Sequence, residues 1–224
     1  MNVGIVGARK AGIYGKELAY KFSFELAKKG INIISGLALG IDGSAHKGAL
    51  MAKGYTVGVL GCGIDIIYPR ENYDLYNEIF KNGAIISEYG PGVAPNPGFF
   101  PIRNRIISGL SDALLVVEAM KKSGSLITAD IALEQGKQVY SIPGRITDKN
   151  SEGTNNLIKQ GAYPVTSPKD IIDDLLGRTD SEKENDTVNK NYLAPAEKHL
   201  VIDYVKGGKP VMHLSRSEER RVGK

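Results

Sequence analysis

Short apolar runs alternate along this chain with longer stretches in which apolar residues recur every three or four positions. Val3–Val6 reads as a buried-type strand, followed by a glycine-rich turn and a helix from about Tyr14 to Lys29. Ile31–Ile34 predicts a second strand, leading through Ser-Gly-Leu-Ala-Leu-Gly-Ile-Asp into a helix that ends near Lys53. Thr56–Leu60 predicts a third strand with a helix near Asn72–Lys81, and Ala84–Ser87 a fourth strand. A long Gly- and Pro-rich loop precedes Gly98–Leu110, which has a helical look. The run Ala-Leu-Leu-Val-Val-Glu-Ala is a fifth strand, and its continuous apolar character points to burial on both faces. A helix over about Ser125–Glu134, a sixth strand in Gln-Val-Tyr-Ser-Ile-Pro-Gly, a short helix and a seventh strand at Ala-Tyr-Pro-Val complete the pattern. Strands alternating with helices predict an α/β fold, an extended Rossmann-like doubly wound sheet that is mostly parallel. Ligands of such sheets bind beyond the carboxyl ends of the strands.

Hydrophobicity collapses after residue 177. The pattern therefore predicts a Rossmann-like domain over 1–177, a polar linker over 178–191 and a small helical piece over 192–224. The last of these reads as one amphipathic helix, a turn and the start of another element. Its charged end, Ser-Arg-Ser-Glu-Glu-Arg-Arg-Val-Gly-Lys, has no partner, which suggests a truncated or aberrant end. Among 224 residues the single cysteine, Cys62, excludes an internal disulfide framework and fits a reducing compartment. No secretory leader pattern and no apolar run of membrane-spanning length is visible, so a cytoplasmic protein is expected, with no membrane partner. The net charge of +4 permits a nucleic-acid or phosphate partner without demanding one.

Three glycine-rich loops follow predicted strands. In the first, Gly7 and Gly12 let backbone pass close to a ligand, while Arg9 and Lys10 supply charge. The loop lacks the G-x-G-x-x-G spacing, and Ser35 stands where a dinucleotide site needs an acid, so a nicotinamide cofactor is disfavoured. In the second, Ser35, Gly36 and Gly40 suit a phosphate cradle; the competing reading is a tight turn with Asp42 as helix cap. In the third, Ser123, Gly124, Ser125 and Thr128 offer further donors at a helix start. All three are expected to converge on one rim of the sheet. Catalytic groups are scarce. His46 reads as a core or capping histidine, and His199 and His213 lie in the tail. Asp42, Glu88, Glu118 and Asp130 read as caps or ion-pair partners rather than as acid–base groups. No metal site, catalytic group or cofactor is expected.

On a helical wheel of about 100° per residue, Phe99, Ile102, Ile106, Ile107 and Leu110 form an apolar stripe. Arg103 falls within that stripe, beside Phe100 and Asn104, and Arg105 falls away from it as a surface charge or rim phosphate contact. A cation in such a stripe needs a carboxylate or a ligand phosphate. Glu88 and Glu118 are the expected partners of Arg103.

The segments Val-Gly-Ala-Arg-Lys-Ala-Gly-Ile-Tyr-Gly, Ser-Gly-Leu-Ala-Leu-Gly-Ile-Asp-Gly-Ser-Ala-His, Gly-Cys-Gly-Ile-Asp-Ile-Ile-Tyr-Pro, Phe-Phe-Pro-Ile-Arg-Asn-Arg-Ile-Ile-Ser-Gly-Leu and Ser-Gly-Ser-Leu-Ile-Thr-Ala-Asp occur in one order. Together they resemble the DprA (Smf) family of DNA-processing proteins, over about Val3 to Ala162. The resemblance implies a non-enzymatic protein that binds and protects incoming single-stranded DNA, forms a homodimer and helps load RecA recombinase during natural transformation. It implies that Gly7 and Arg9 match a G-x-R at the DNA pocket, and that Phe100, Arg103, Asn104 and Arg105 match an aromatic-plus-basic segment. Lys10 and Lys122 join them as DNA-binding cations. Such residue types suit single strands, whose phosphates are tracked by cations and whose bases stack on aromatic faces; either Phe99 or Phe100 would supply that face. The family's N-terminal helical domain has no counterpart here, and the C-terminal piece resembles the start of its winged-helix-like domain. The alternative is a small-molecule enzyme resembling the LOG-type nucleotide phosphoribohydrolases. Those carry P-G-G-x-G-T-x-x-E where this chain has Lys-Ser-Gly-Ser-Leu-Ile-Thr-Ala-Asp, with Asp130 a loose substitute for the glutamate.

Overall fold

The structure, a computed structural model, describes residues 1–177. The predicted linker and the piece over 192–224 lie outside the described residues. Seven described strands form one parallel sheet in the order β4-β3-β2-β1-β5-β6-β7. They are β1 (Asn2–Val6), β2 (Asn32–Ser35), β3 (Thr56–Leu60), β4 (Ala84–Ser87), β5 (Ala113–Val116), β6 (Gln138–Ser141) and β7 (Tyr163–Pro164). The connecting helices are α1 (Ile13–Lys28), α2 (Ile41–Met51), α3 (Tyr73–Asn82), α4 (Phe99–Leu110), α5 (Gly124–Glu134), α6 (Glu152–Lys159) and α7 (Pro168–Leu176). The chain builds outward from β1 to β4, then crosses back to lay β5 on the other side of β1. Val3 of β1 faces Ile33 of β2 on one side and Ala113 of β5 on the other. The extended Rossmann-like reading is the observed fold.

Alternation along β1 divides the core. Val3 and Ile5 point to one face, where they join Phe22 and Leu26 of α1, Ala45 of α2 and Ile171 of α7. Val6 points to the other face, joining Ile107 of α4, Ala129 of α5 and Leu157 of α6. The central β5 is buried at all four positions, as its unbroken apolar run requires. β7 has only two residues, and both are exposed. Helix α7 was not anticipated by periodicity, yet its start is written in Ser-Pro-Lys-Asp. The Ser167 hydroxyl and amide bond Asp170 at 2.8 and 2.9 Å, completing a capping box, and Pro168 occupies the first turn.

Helix α4 corrects the predicted stripe. Its buried residues are Arg103, Asn104, Ile107 and Ser108, whereas Ile102 is 54% and Leu110 38% exposed. The helix meets strand-end carbonyls and the start of α5 rather than a purely apolar wall, so its inner face carries donors.

Candidate functional site

Arg103 is only 4% exposed. Its Nη1 donates to the Gly36 carbonyl at 2.8 Å and to the Val59 carbonyl, at the C-terminal ends of β2 and β3. Gly36 permits this approach, since a Cβ there would sit 2.6 Å from Nη2. Arg103 Nε has no hydrogen-bond partner among the described residues. Burial lowers the Arg103 pKa, and the Asp42 carboxylate opposes that shift. Burial in turn pushes the Asp42 carboxyl up, offset first by Arg103 and then by the Ala38 amide. The anticipated partners are therefore wrong. Glu88 pairs with Arg105 on the surface, and Glu118 faces α1. Strand-end carbonyls take the hydrogen bonds assigned to Glu88 or Glu118, and the buried Asp42 carboxylate supplies the nearby negative charge.

Arg9 stands above this floor. Its guanidinium carbon is 4.8 Å from the centroid of the Phe100 ring. Phe100 also stacks on Tyr68, with centroids 5.6 Å apart and planes at 26°. Phe99 is committed elsewhere, stacked on Tyr89 at 4.3 Å. Arg9, Gly36, Leu60, Gly61, Tyr68, Phe100 and Arg103 line one open cleft. Its position follows from local backbone. Gly40 adopts φ +79°, and any side chain there would strike the Ala8 and Arg9 carbonyls. The Ile41 amide bonds the Ala8 carbonyl at 3.3 Å, so the loops after β1 and β2 are locked together with Arg9 at the crossing.

The donors expected to cradle phosphate are largely engaged within the protein. The Ser35 hydroxyl bonds the Ile5 carbonyl at 2.6 Å. Gly7 packs where a Cβ would lie 2.6 Å from Ile41. The third loop does not reach the cleft. The Ser123 and Ser125 hydroxyls pair at 2.7 Å, Thr128 is buried, and the Gly124 carbonyl accepts from Asn104 at 3.2 Å. Asn104 holds this loop against α4. Lys10, Lys122 and Arg105 are exposed, and none of the three lines the cleft. Asp130 lines a different depression with Lys121 and Gln160.

The crevice between β1 and β5, where strand order reverses, is the usual ligand position in such sheets. Here it is filled by the chain itself. Glu118 is 6% exposed and accepts from the Gly12 amide at 3.1 Å and from Asn150 at 3.4 Å. Gly15 lies so close that a Cβ would overlap the carboxyl group. Burial pushes the Glu118 carboxyl up, while the Gly12 amide pulls it down. The N-terminus of α1, where a dinucleotide would place its pyrophosphate, thus already holds an acid. The open cleft lies instead at the ends of β2 and β3. Tyr68 and Gly61 were missed as site residues, although both lie in or beside the Gly-Cys-Gly-Ile-Asp-Ile-Ile-Tyr-Pro segment. His46 is fully buried, its Nδ1 2.7 Å from the Thr56 hydroxyl, the core position expected of it. No described helix is long and apolar enough to cross a membrane.

Comparison with known proteins identifies the architecture. The chain is 46% identical over 177 residues to the DNA processing protein DprA of Bacillus subtilis, covering 79% of this chain and 60% of that protein. It is 48% identical over 175 residues to Protein Smf of Escherichia coli, covering 78% of this chain and 47% of the relative. The chain thus spans about half the length of these relatives. DNA processing protein A of Helicobacter pylori, whose single-stranded DNA binding mode has been described structurally, superposes with a TM-score of 0.73 at 36% identity, over 79% of this chain and 80% of that one. The molybdenum cofactor binding protein of Rippkaea orientalis shares the fold, with a TM-score of 0.58 at 21% identity over 79% of this chain and 95% of that one. The family model for DNA recombination-mediator protein A matches residues 1–176, and the chain belongs to that family.

Proposed function

We propose that the cleft binds single-stranded DNA, with a backbone phosphate at Arg9 and neighbouring bases on the aromatic wall. The observation that carries this reading is the stack of Arg9 on Phe100 above the buried Arg103. A free cation beside aromatic faces is what a single strand requires, since each nucleotide offers a phosphate charge and a π-face. Arg103 fixes the floor and adds positive potential from below. Lys10, Lys122 and Arg105 extend that potential along the rim; Arg105 does so only in part, because Glu88 neutralises it. Asn104 acts through the Gly124 loop rather than on the strand itself. The loops carrying Gly7, Ser35, Gly36, Gly40, Ser123, Gly124, Ser125 and Thr128 shape and lock the rim.

Family membership supports the wider role: a cytoplasmic, non-enzymatic mediator that protects incoming DNA and helps load RecA, working as a homodimer. Sedimentation and RecA pull-down test the two partnerships. Anisotropy of labelled oligo-dT over a salt series tests the DNA reading. Binding should weaken steeply with salt, and Arg9→Ala should reduce both the affinity and the steepness. Failure of oligo-dT to bind at low salt, with hydrolysis of nucleoside monophosphates, would replace this reading with the phosphoribohydrolase alternative.

A further inference from the structure

We infer that Tyr68 is the residue on which a nucleobase stacks, and that Phe100 is its support. The inference rests on the single-strand reading above. The Phe100 ring is half-buried and already has several close neighbours. Arg9 lies over it at 4.8 Å, Tyr68 stacks on it at 5.6 Å, and Gly61 sits so close that a Cβ would be 2.8 Å from a ring carbon. A base stacking on Phe100 would compete with Arg9 and Tyr68 for its ring. Phe99 is closed off by its own stack on Tyr89. Tyr68 differs from both. It is 42% exposed and lines the cleft that holds Arg9 and Arg103. A base laid on Tyr68 would extend the Arg9–Phe100–Tyr68 cluster within the cleft that Arg9 also lines. An aromatic face accepts every base, so this contact confers affinity without sequence preference. The phenol hydroxyl can bond a base edge or a phosphate oxygen but is not needed for the stack.

Crosslinking and binding measurements test this. Oligo-dT carrying 5-iodouracil is irradiated with the protein and the adduct mapped by mass spectrometry; the crosslink should fall on Tyr68. Tyr68→Ala should weaken oligo-dT binding roughly 5- to 150-fold, the range for loss of one base–aromatic stack. Tyr68→Phe should stay within about twofold of the wild type, because the ring is kept. A fully abasic strand separates stacking from general damage: there Tyr68→Ala should have no effect, while Arg9→Ala should still weaken binding. A crosslink confined to Phe99 or Phe100, or a Tyr68→Ala loss of equal size on the abasic strand, overturns the inference while leaving the single-strand reading intact. Absence of any oligo-dT binding by the wild type overturns the single-strand reading itself.

Discussion

His46 makes the fold acid-sensitive by an amount that can be worked from its surroundings. The Thr56 hydroxyl donates to the Ile33 carbonyl at 2.9 Å, so its proton is committed. The 2.7 Å contact between His46 Nδ1 and that hydroxyl must then be donated by Nδ1–H. Nε2 is left as a bare lone pair, buried and without a partner among the described residues. Protonating it would place a second N–H and a full charge in the core with nothing to receive them. Burial, with the Arg103 charge adding a smaller push, lowers the His46 pKa from 6.5 to about 3. Above pH 6.5 both states are neutral and the group makes no pH-dependent contribution. Below it the unfolded chain binds a proton that the folded protein refuses until about pH 3, so stability falls with falling pH across that window.

At about pH 5 the unfolded histidine lies 1.5 units below its value of 6.5, which corresponds to ~2 kcal/mol of lost stability. The whole window of 3.5 units, from 6.5 to about 3, corresponds to a ceiling of about 5 kcal/mol. Net stabilities of domains are ~5–15 kcal/mol, so the effect is large. Asp42 and Glu118, both raised by burial, act with the opposite sign. They cost stability at neutral pH and return it as pH falls through their folded values. They are common to wild type and variant, so they cancel in a comparison. Urea unfolding of wild type and His46→Leu, at about pH 7.5 and about pH 5, isolates the histidine. The variant should be weaker at neutral pH but lose about 2 kcal/mol less on acidification. Equal losses in the two proteins, or a His46 ring resonance titrating near 6.5, would refute the argument.

Three further changes probe the frame of the site. Lys137 donates to the Ser108, Gly109 and Ser111 carbonyls, the last two at 2.9 and 2.7 Å, and so closes the C-terminus of α4; Lys137→Met should cost ~1–2 kcal/mol in urea unfolding. Gly36→Ala would place a methyl 2.6 Å from Arg103 Nη2 and 2.7 Å from Asp42. It should cost at least ~2 kcal/mol, seen as a lowered Tm, because the guanidinium is pinned by two carbonyls and cannot swing away. Glu118→Ala leaves the Gly12 amide without its acceptor and opens a void against Gly15; a loss of ~2–4 kcal/mol is expected in the same assay.

The sheet was legible because its strands are short apolar runs whose period cannot be mistaken once the intervening helices are counted. The unbroken apolar run of β5 announced burial on both faces, and its four residues are all buried. α7 was equally legible from the Ser167–Asp170 capping box but needs a reading of cap chemistry rather than of period. The inner face of α4 was not legible. A wheel ranks apolar residues, and Ile102 and Leu110 look better buried than Arg103 and Ser108. The preference reverses because α4 crosses carbonyls at the ends of β2 and β3, which only the sheet order reveals. The same blindness produced the expectation of three convergent loops. Sequence places each loop after a strand, but cannot say that Glu118 fills the crevice between them or that Asn104 ties the third loop away.

These placements divide labour between the two arginines of the cleft, and the division can be tested. Arg103 contributes Nη1 to Gly36 and Val59 and is buried to 4% exposure, so it belongs to the folded frame. Replacing it leaves strand-end carbonyls without donors and removes the cation that most offsets the burial of Asp42. Arg103→Lys retains the charge but not the planar fork, and should lower stability by ~2–4 kcal/mol, with DNA binding lost only as the cleft deforms. Arg9 is exposed and is held by the Phe100 face. Exposed cation–π contacts are worth about 0.5–1 kcal/mol, so Arg9→Ala should leave the unfolding midpoint nearly unchanged. Its effect should fall on oligo-dT affinity and on the salt slope. If Arg9→Ala and Arg103→Lys changed stability and binding in the same proportion, the two residues would form one structural unit, and Arg9 would not be the free cation on which the single-strand reading depends.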